Sequence, residues 1–420
     1  MNVAVIGGGV SGLVAALRSQ QSGHDVTLFE AQSRLGGHTD THRFETASGA
    51  VNVDSGFIVM NRDHYPRFSR LLDELGVDTR QSDMSFSVRD DVAGMEYALG
   101  DDCPLYLQPG VLLRPRFWRI LRDLIRFYRQ APSALALADE VTVGSYLDAY
   151  GYSDAFAESH LLPMIEALWS ADPKRLRSLP IRHVIAFFSN HQMLTLSKRS
   201  PWETVVGGSS TYVEKLKEVL GDAIQLNTPV LRLARVGHKV SVESGLGQQS
   251  FDRVILACHS DQALKLISDA DRLEHEVLSA IGFQPNEALV HTDASVMPLR
   301  RSSWASWNVI RDGSPRPDCS VTYWMNRLQG LSCDTQFFVS LNLSDKIDPS
   351  KVLARRQYDH PIFDIAAVNA QRSLGDIQGH RNLYYCGAYW GWGFHEDGAR
   401  SGELAVEHLN RADKGQPRAA

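Results

Sequence analysis

The sequence predicts an α/β protein in which a discontinuous Rossmann-like domain is interrupted by an inserted α+β domain. Three observations predict it. A glycine-rich turn, Gly7-Gly8-Gly9-Val10-Ser11-Gly12, follows an apolar strand at the start of the chain. Segments of the same dinucleotide-binding type recur near 205–260 and near 380–410. The stretches between them have a different character and must build something else.

Taken in order, residues 2–6 form a short, fully apolar strand, 11–22 a helix and 25–30 a second strand, a βαβ start. Residues 64–76 read as a helix with Phe68, Leu71, Leu72 and Leu75 on one side. Residues 84–112 alternate β-like runs with turns, whereas 114–130, 152–169 and 210–220 are helical. Strands follow at 223–226, 230–236, 239–243 and 253–257, and 320–343 is strand-rich. A strand at Leu383-Tyr384-Tyr385 and a helix from about Ala399 to Asn410 close the pattern, followed by a polar tail expected to be frayed. The expected division is 1–80, 201–270 and 376–412 for the nucleotide domain, 81–200 for a helical, membrane-facing part of the substrate domain, 271–375 for its strands, and 413–420 for a disordered tail.

The composition excludes some functions. With 43 Lys and Arg against 49 Asp and Glu the net charge is −6, which argues against a nucleic-acid partner. The five cysteines, Cys103, Cys258, Cys319, Cys333 and Cys386, are odd in number and scattered, with no C-x-x-C. They suggest neither a disulfide framework nor a zinc site, and no metal is expected. Met1-Asn2 leads straight into the first strand without a basic leader, and no run of eighteen apolar residues occurs. A cytoplasmic protein is the simplest reading.

Each glycine of the turn has a job. Gly7 permits the tight turn, Gly9 lets the backbone approach a diphosphate, and Gly12 lets helix and strand pack closely. The helix start at Val10 and Ser11 offers free N–H groups to the phosphates. Glu30 closes the second strand, where an acid can accept hydrogen bonds from ribose hydroxyls. Ala31 follows, then Ser33-Arg34-Leu35-Gly36-Gly37-His38-Thr39. Paired glycines beside an arginine make a second close-approach loop with a cation.

That loop resembles the R-x-G-G motif of the flavin amine oxidase and phytoene desaturase superfamily. Further segments are similar to it. Val53-Asp54-Ser55-Gly56-Phe57 resembles the D-x-G loop near the flavin ring, and Gly207-Gly208 with Tyr212 and Leu216 the turn that opens a helix. Thr228-Pro229-Val230 resembles the strand beside the adenine, and Asp252 to Cys258, with Ala257, the D-x-V-I-x-A segment. Leu383 to Gly387, followed by Gly398-Ala399-Arg400-Ser401-Gly402, resembles the C-terminal flavin cap. The resemblance implies FAD, bound non-covalently, because no cysteine sits at the usual attachment point. Cys386-Gly387-Ala388-Tyr389-Trp390-Gly391-Trp392-Gly393-Phe394-His395 is similar to a bacterial branch that often accompanies cyclopropane-fatty-acid-synthase-like methyltransferases. Some of its members are implicated in modifying membrane acyl chains.

Two departures stand out. Gly387-Ala388 replaces the usual glycine–acid pair, so Asp397 or backbone must supply that contact. The lysine typical of amine oxidases cannot be placed.

On the substrate side the candidates are Tyr389, Trp392 and His395, between cap strand and cap helix, and Tyr323 and Asn326 on an expected strand. His191, in the polar pair Asn190-His191, joins them. Each competes with a packing role; Glu166 reads as a solvated-face residue. Strand alternation would put Trp324 and Asn326 on one face and Tyr323 on the other. His395 could serve as a base. Residues 114–129 carry six arginines and one acid, with Phe117, Leu121, Leu124 and Tyr128 on one helical stripe. This fits an interfacial membrane helix or an ordinary amphipathic surface helix, so attachment to the inner face of the cytoplasmic membrane stays open. The expected function is an FAD-dependent oxidoreductase that dehydrogenates a hydrophobic substrate, a fatty-acyl chain of a membrane lipid, with an unspecified electron acceptor and oligomeric state. The alternatives are a flavin amine oxidase, a redox-neutral double-bond isomerase, and a non-catalytic flavoprotein.

Overall fold

The strand Asn2–Ile6 sits at the centre of a five-stranded parallel sheet ordered Ile224–Gln225, Asp25–Phe29, Asn2–Ile6, Arg253–Leu256, Leu383–Tyr385. Val3, Ala4 and Val5 are fully buried, as a strand covered on both faces requires. The structure, a computed structural model, describes residues 1–100, 106–170, 174–194, 200–313 and 320–413. Cys103, Cys319 and the expected tail beyond residue 413 lie outside the described residues.

Three distant parts of the chain supply this sheet, the α/β arrangement read from the sequence. On one face the helix Val10–Gln21 packs against the C-terminal helix His395–Asp413. They approach closely because the facing residues are small: a Cβ on Gly402 would lie 2.5 Å from the Ser11 carbonyl oxygen, and one on Gly398 2.6 Å from Val10 Cγ1. The C-terminal helix starts four residues earlier than expected. Asp397 accepts hydrogen bonds from the Trp392 and Phe394 N–H groups at 3.0 and 3.1 Å, which caps the turn there. On the other face a three-stranded antiparallel sheet, Val230–Val236, Lys239–Ser244 and Gly247–Phe251, buries Val240, Val242 and Phe251 against Phe29.

The inserted part has two layers. Its mixed eight-stranded sheet runs Val352–Pro361, Phe283–His291, Phe338–Leu341, Val321–Trp324, Trp307–Arg311, Phe86–Asp90, Met95–Leu99, Tyr106–Leu107. A helical layer, including Pro115–Gln130, Leu162–Trp169 and Ile181–Asn190, closes around Phe127, Tyr146, Phe156, Ile165 and Phe187.

Three expectations need correction here. The strand at 320 ends at Trp324, and Met325–Leu328 turns helically, so Asn326 leaves the sheet. Its amide donates to the Thr335 carbonyl at 2.8 Å and accepts from Phe337 N at 2.7 Å, outside the lining of the large cavity. Glu166 is buried and accepts a hydrogen bond from Ser320 N at 2.9 Å, instead of facing solvent. In Pro115–Gln130 the buried stripe is Ile120, Asp123 and Phe127, and Phe117, Leu121, Leu124 and Tyr128 are half-buried along its edges. A polar residue hid this stripe: the Asp123 carboxylate is fully buried because Ser153 N donates to it at 2.9 Å and Arg122 pairs with it. No described helix is long and apolar enough to cross a membrane.

Candidate functional site

A cavity of about 1240 Å³ opens at the carboxyl ends of the parallel strands and continues between the helical layer and the large sheet. Ligands of open parallel sheets bind at those strand ends. The volume exceeds the ~300–1,000 Å³ of an ordinary ligand pocket, so a dinucleotide and a second molecule can share it.

At the strand ends, Gly7 N donates to the Phe29 carbonyl and Gly36 N to the Gly8 carbonyl, both at 2.8 Å. These bonds lay the two glycine loops side by side. A Cβ on Gly12 would lie 1.9 Å from the Gly7 oxygen, so that glycine serves packing. A Cβ on Gly9 would meet no protein atom within 4 Å. Gly9 lines the cavity, so the missing side chain leaves backbone open to a ligand. The Glu30 carboxylate accepts from Gly8 N at 2.7 Å and Gln32 N at 2.8 Å, which fixes it at the cavity lip. Arg34 donates to the Thr39 and Gly37 carbonyls at 3.0 and 2.8 Å, so it braces its own loop while lining the cavity. Backbone open to an anion, a helix N-terminus and a fixed carboxylate suit a dinucleotide.

The cavity wall includes Gly7, Gly9, Val10, Ser11, Glu30, Ala31, Arg34, Gly36, Gly37, His38, Ser55, Gly56, Phe57, Val230, Ala257 and Gly387 from the sequence reading. Gly12, Thr39, Asp54, Asp397, Gly398, Ala399 and Ser401 do not line it. Their polar groups are consumed in holding the wall. Asp54 is fully buried and accepts from Ser209 N at 2.9 Å and Gln329 Nε2 at 2.7 Å; burial pushes its carboxyl up to about 7. Burial likewise pushes Asp397 up to about 6, against the pull of Arg400. Ser401 Oγ accepts from Gly387 N at 3.0 Å.

His395 is half of a clasp. Its Nε2 lies 2.9 Å from Thr39 Oγ1 and 3.1 Å from Tyr212 Oη, and its ring stacks on Phe57 at 3.5 Å between centroids. Burial pushes the imidazole down to about 3, so it is neutral. Tyr389 Oη donates to the Cys258 carbonyl at 3.1 Å, and the Trp392 carbonyl accepts from Trp169 Nε1 at 3.0 Å. Both aromatic residues and Tyr323 line the cavity; Asn326 does not.

At the far end, two hydrophobic clusters face each other across the cavity. The helical side presents Met164, Leu168, Trp169, Phe187 and Phe394, and the sheet side Met84, Phe86, Trp307, Tyr323 and Leu341. His191 sits in this apolar wall. Its Nδ1–H donates to the Phe187 carbonyl at 3.1 Å, which leaves Nε2 with the lone pair. Its ring stacks on Phe187 at 3.9 Å, and burial pushes it down to about 4. Sequence reading missed Phe187, Trp169, Tyr358, His259 and His360. Tyr358 and His360 fall on alternate positions of Val352–Pro361, the one signal that could have paired them.

Residues 10–302 match the family model for flavin-containing amine oxidoreductase. Amine oxidase [flavin-containing] B of Sus scrofa is 26% identical over 249 residues, 58% of this chain and 47% of that protein; the Homo sapiens protein matches to the same extent. The matched region thus spans about half the length of these curated relatives. Among solved structures, cyclohexylamine oxidase from Brevibacterium oxydans IH-35A superposes with a TM-score of 0.72 at 17% identity, over 98% of this chain and 99% of that one. A CLA-producing fatty acid isomerase from P. acnes gives 0.71 at 17% identity, over 96% and 97%. These likenesses extend the common fold over nearly the whole chain.

Proposed function

This chain belongs to the flavin-containing amine oxidoreductase family, and we propose that it is an FAD-dependent oxidoreductase that dehydrogenates a long hydrophobic substrate, a fatty-acyl chain of a membrane lipid. The observation that carries the reading is the far end of the cavity. The carboxylates and the lysine that line the cavity, Glu30, Asp359 and Lys265, belong to its glycine-turn end, where Glu30 accepts from Gly8 N, Lys265 pairs with Asp261 and Asp359 faces His259, and the walls from Met164 to Trp169 and from Met84 to Phe86 are apolar. An alkyl chain gains by leaving water there, about 0.8 kcal/mol per buried CH₂.

FAD supplies the acceptor of the hydride equivalent. Gly7, Gly9, Val10 and Ser11 would hold its diphosphate and Glu30 its ribose. The His395 clasp to Thr39 and Tyr212 positions Phe57 on the cavity wall. To His191, neutral and with its lone pair on Nε2, we assign the role of taking the accompanying proton. Trp169, Phe187 and Trp392 exclude water from the same region.

Delivery from a bilayer is part of the proposal. Leu113 is 87% exposed and Leu112 and Trp118 more than half exposed, next to exposed Arg114, Arg119, Arg122 and Arg129. Trp118 Nε1 donates to the Leu112 carbonyl at 2.8 Å, which ties the indole to the leucine turn. Aromatic and aliphatic tips ringed by arginines suit an anionic membrane surface. The test is product mass. Incubation with unsaturated or methyl-branched phospholipids and an electron acceptor yields acyl chains lighter by two hydrogens. An unchanged mass with a moved double bond contradicts dehydrogenation and supports isomerisation.

A further inference from the structure

We propose that His38, His259 and His360 form a three-imidazole wall that binds the diphosphate of FAD and takes up a proton as that anion binds. The inference rests on the FAD assignment above and adds to His38 of the second glycine loop a binding role for two side chains outside the glycine motifs, His259 and His360.

Geometry places the three rings at the glycine turn. His38 follows Gly36-Gly37, and a Cβ on Gly37 would lie 3.3 Å from Gly9 Cα. His259 follows Ala257-Cys258, and the Ala257 oxygen lies 2.9 Å from where a Gly7 Cβ would stand. Two of the imidazoles are therefore carried by backbone in contact with the first and second glycines of the phosphate-binding turn. His360 arrives from the edge strand Val352–Pro361, with its ring 5.5 Å from that of His38. His38 is 6.3 Å from His259 and stacks on Tyr358 at 5.0 Å. All four residues line the cavity.

The hydrogen bonding within this wall is incomplete. His38 Nε2 is buried and has no hydrogen-bond partner in the protein. Buried polar atoms are almost always satisfied, and exceptions call for a ligand or another explanation. Asn286 Nδ2 stands 3.1 Å from His360 Nδ1 and donates to it, which leaves the proton of the neutral ring on Nε2, a donor. His259 lies flat on Phe283 at 4.2 Å, so its ring plane is fixed. The arrangement is not one for a metal: no group of three or more His, Cys, Asp or Glu among the described residues is placed to hold an ion.

Charge follows from the neighbours. His38 faces Arg34 from its own loop, His395 from the cap helix, and the other two histidines, all of which oppose its protonation after burial itself. Burial and then His259 push His360 down to about 4. His259 is lowered by burial, with Asp359 and Asp261 pulling the other way. In the protein alone the three rings are thus neutral near pH 7. A diphosphate brings negative charge among them, and an opposite charge at ~4–6 Å raises an imidazole by about 1–3 pKa units. Between its free and bound pKa values, one such group makes FAD affinity fall up to about tenfold per pH unit as pH rises.

The experiment uses the holoprotein. FAD release on dilution is followed by flavin fluorescence between pH 5.5 and 8.5, within the range where circular dichroism shows the fold intact. The expected result is an affinity that weakens as pH rises, by up to about thirtyfold over this range for a ring raised by about three units on binding. Calorimetry in buffers of different ionisation heat should show net proton uptake per FAD bound that is largest at pH 5.5 and falls toward zero by pH 8.5. Direct binding of ADP to the FAD-free protein should share the pH dependence, and direct binding of adenosine should not. His38→Asn and His360→Asn should flatten the profile while the protein still binds FAD at high pH. An affinity that is independent of pH or strengthens with it overturns the proposal, as does a full slope in both variants. Equal pH dependence for adenosine also overturns it. If the variants fail to fold, the proton count on the unaltered protein decides alone.

Discussion

Gly9→Ala and Gly12→Ala differ by one methyl group at positions three residues apart, and the structure predicts opposite failures. At Gly12 the new Cβ would lie 1.9 Å from the Gly7 carbonyl oxygen and 3.0 Å from Ala257 Cβ, where the first is backbone and cannot swing aside. Overpacking of this kind costs about 1–3 kcal/mol, and two tightly packed backbones put this case at or above the upper end. At Gly9 the methyl meets no protein atom within 4 Å, and the backbone is extended at φ −75° and ψ 178°, which alanine adopts freely. Stability should change by less than about 1 kcal/mol, the size of an N-cap effect. The methyl stands instead between the turn and the diphosphate. Losing about two charge-assisted hydrogen bonds, each worth roughly 1.5–3 kcal/mol, removes at least about 3 kcal/mol, a hundredfold or more in FAD affinity. The assay pairs thermal unfolding of FAD-free protein with the ratio of flavin to protein absorbance after purification. Gly9→Ala should be folded and colourless, and Gly12→Ala should be unstable. A Gly9→Ala protein that keeps its full flavin, or a Gly12→Ala protein of unchanged stability, would refute the reasoning.

Other perturbations separate the remaining parts of the account. His191→Phe keeps the stack on Phe187 and removes the ring nitrogen, so turnover should fall about 10²–10⁴-fold with flavin content unchanged; equal turnover means the proton goes elsewhere. Leu113→Asp with Trp118→Asp should abolish sedimentation with anionic liposomes at low salt while leaving activity on detergent-dispersed lipid intact, and liposome binding that survives both changes rejects this surface. The half-buried His183 stacks on Phe363 at 4.9 Å with no partner for its buried Nε2, and desolvation pushes it down to about 4. A histidine held below its unfolded value of about 6.5 leaves stability whole above that pH and drains it as pH falls toward 4. His183→Phe should therefore raise the melting temperature at pH 5 more than at pH 8, and an equal shift at both contradicts the assignment.

The βαβ start and the two glycine loops were legible because each rests on local backbone geometry: Gly7, Gly9 and Gly12 serve a turn, an open approach and a close packing within six residues. The apolar runs of the parallel sheet were legible for the same reason. Role was harder to read than place. Asp54 and Asp397 look like cofactor ligands in a motif, yet their carboxylates are spent on Ser209, Gln329 and the turn at Trp392, partners distant in sequence or hidden in a loop. Asn326 misled through periodicity, since one helical turn after Trp324 rotates it out of the sheet. The stripe of Pro115–Gln130 was misjudged because a buried, ion-paired Asp123 reads as a surface residue. His38, His259 and His360 meet only in three dimensions, from segments a hundred residues or more apart, and no spacing announces them.

The central claim is that this member of the flavin-containing amine oxidoreductase family acts on acyl chains. Anaerobic titration of the purified holoprotein, followed by flavin absorbance, tests it most directly, with unsaturated and methyl-branched phospholipids set beside a panel of amines. Bleaching by the lipids and not by the amines is the predicted result. Bleaching by amines alone would contradict the account and make the chamber beside His191 an amine site.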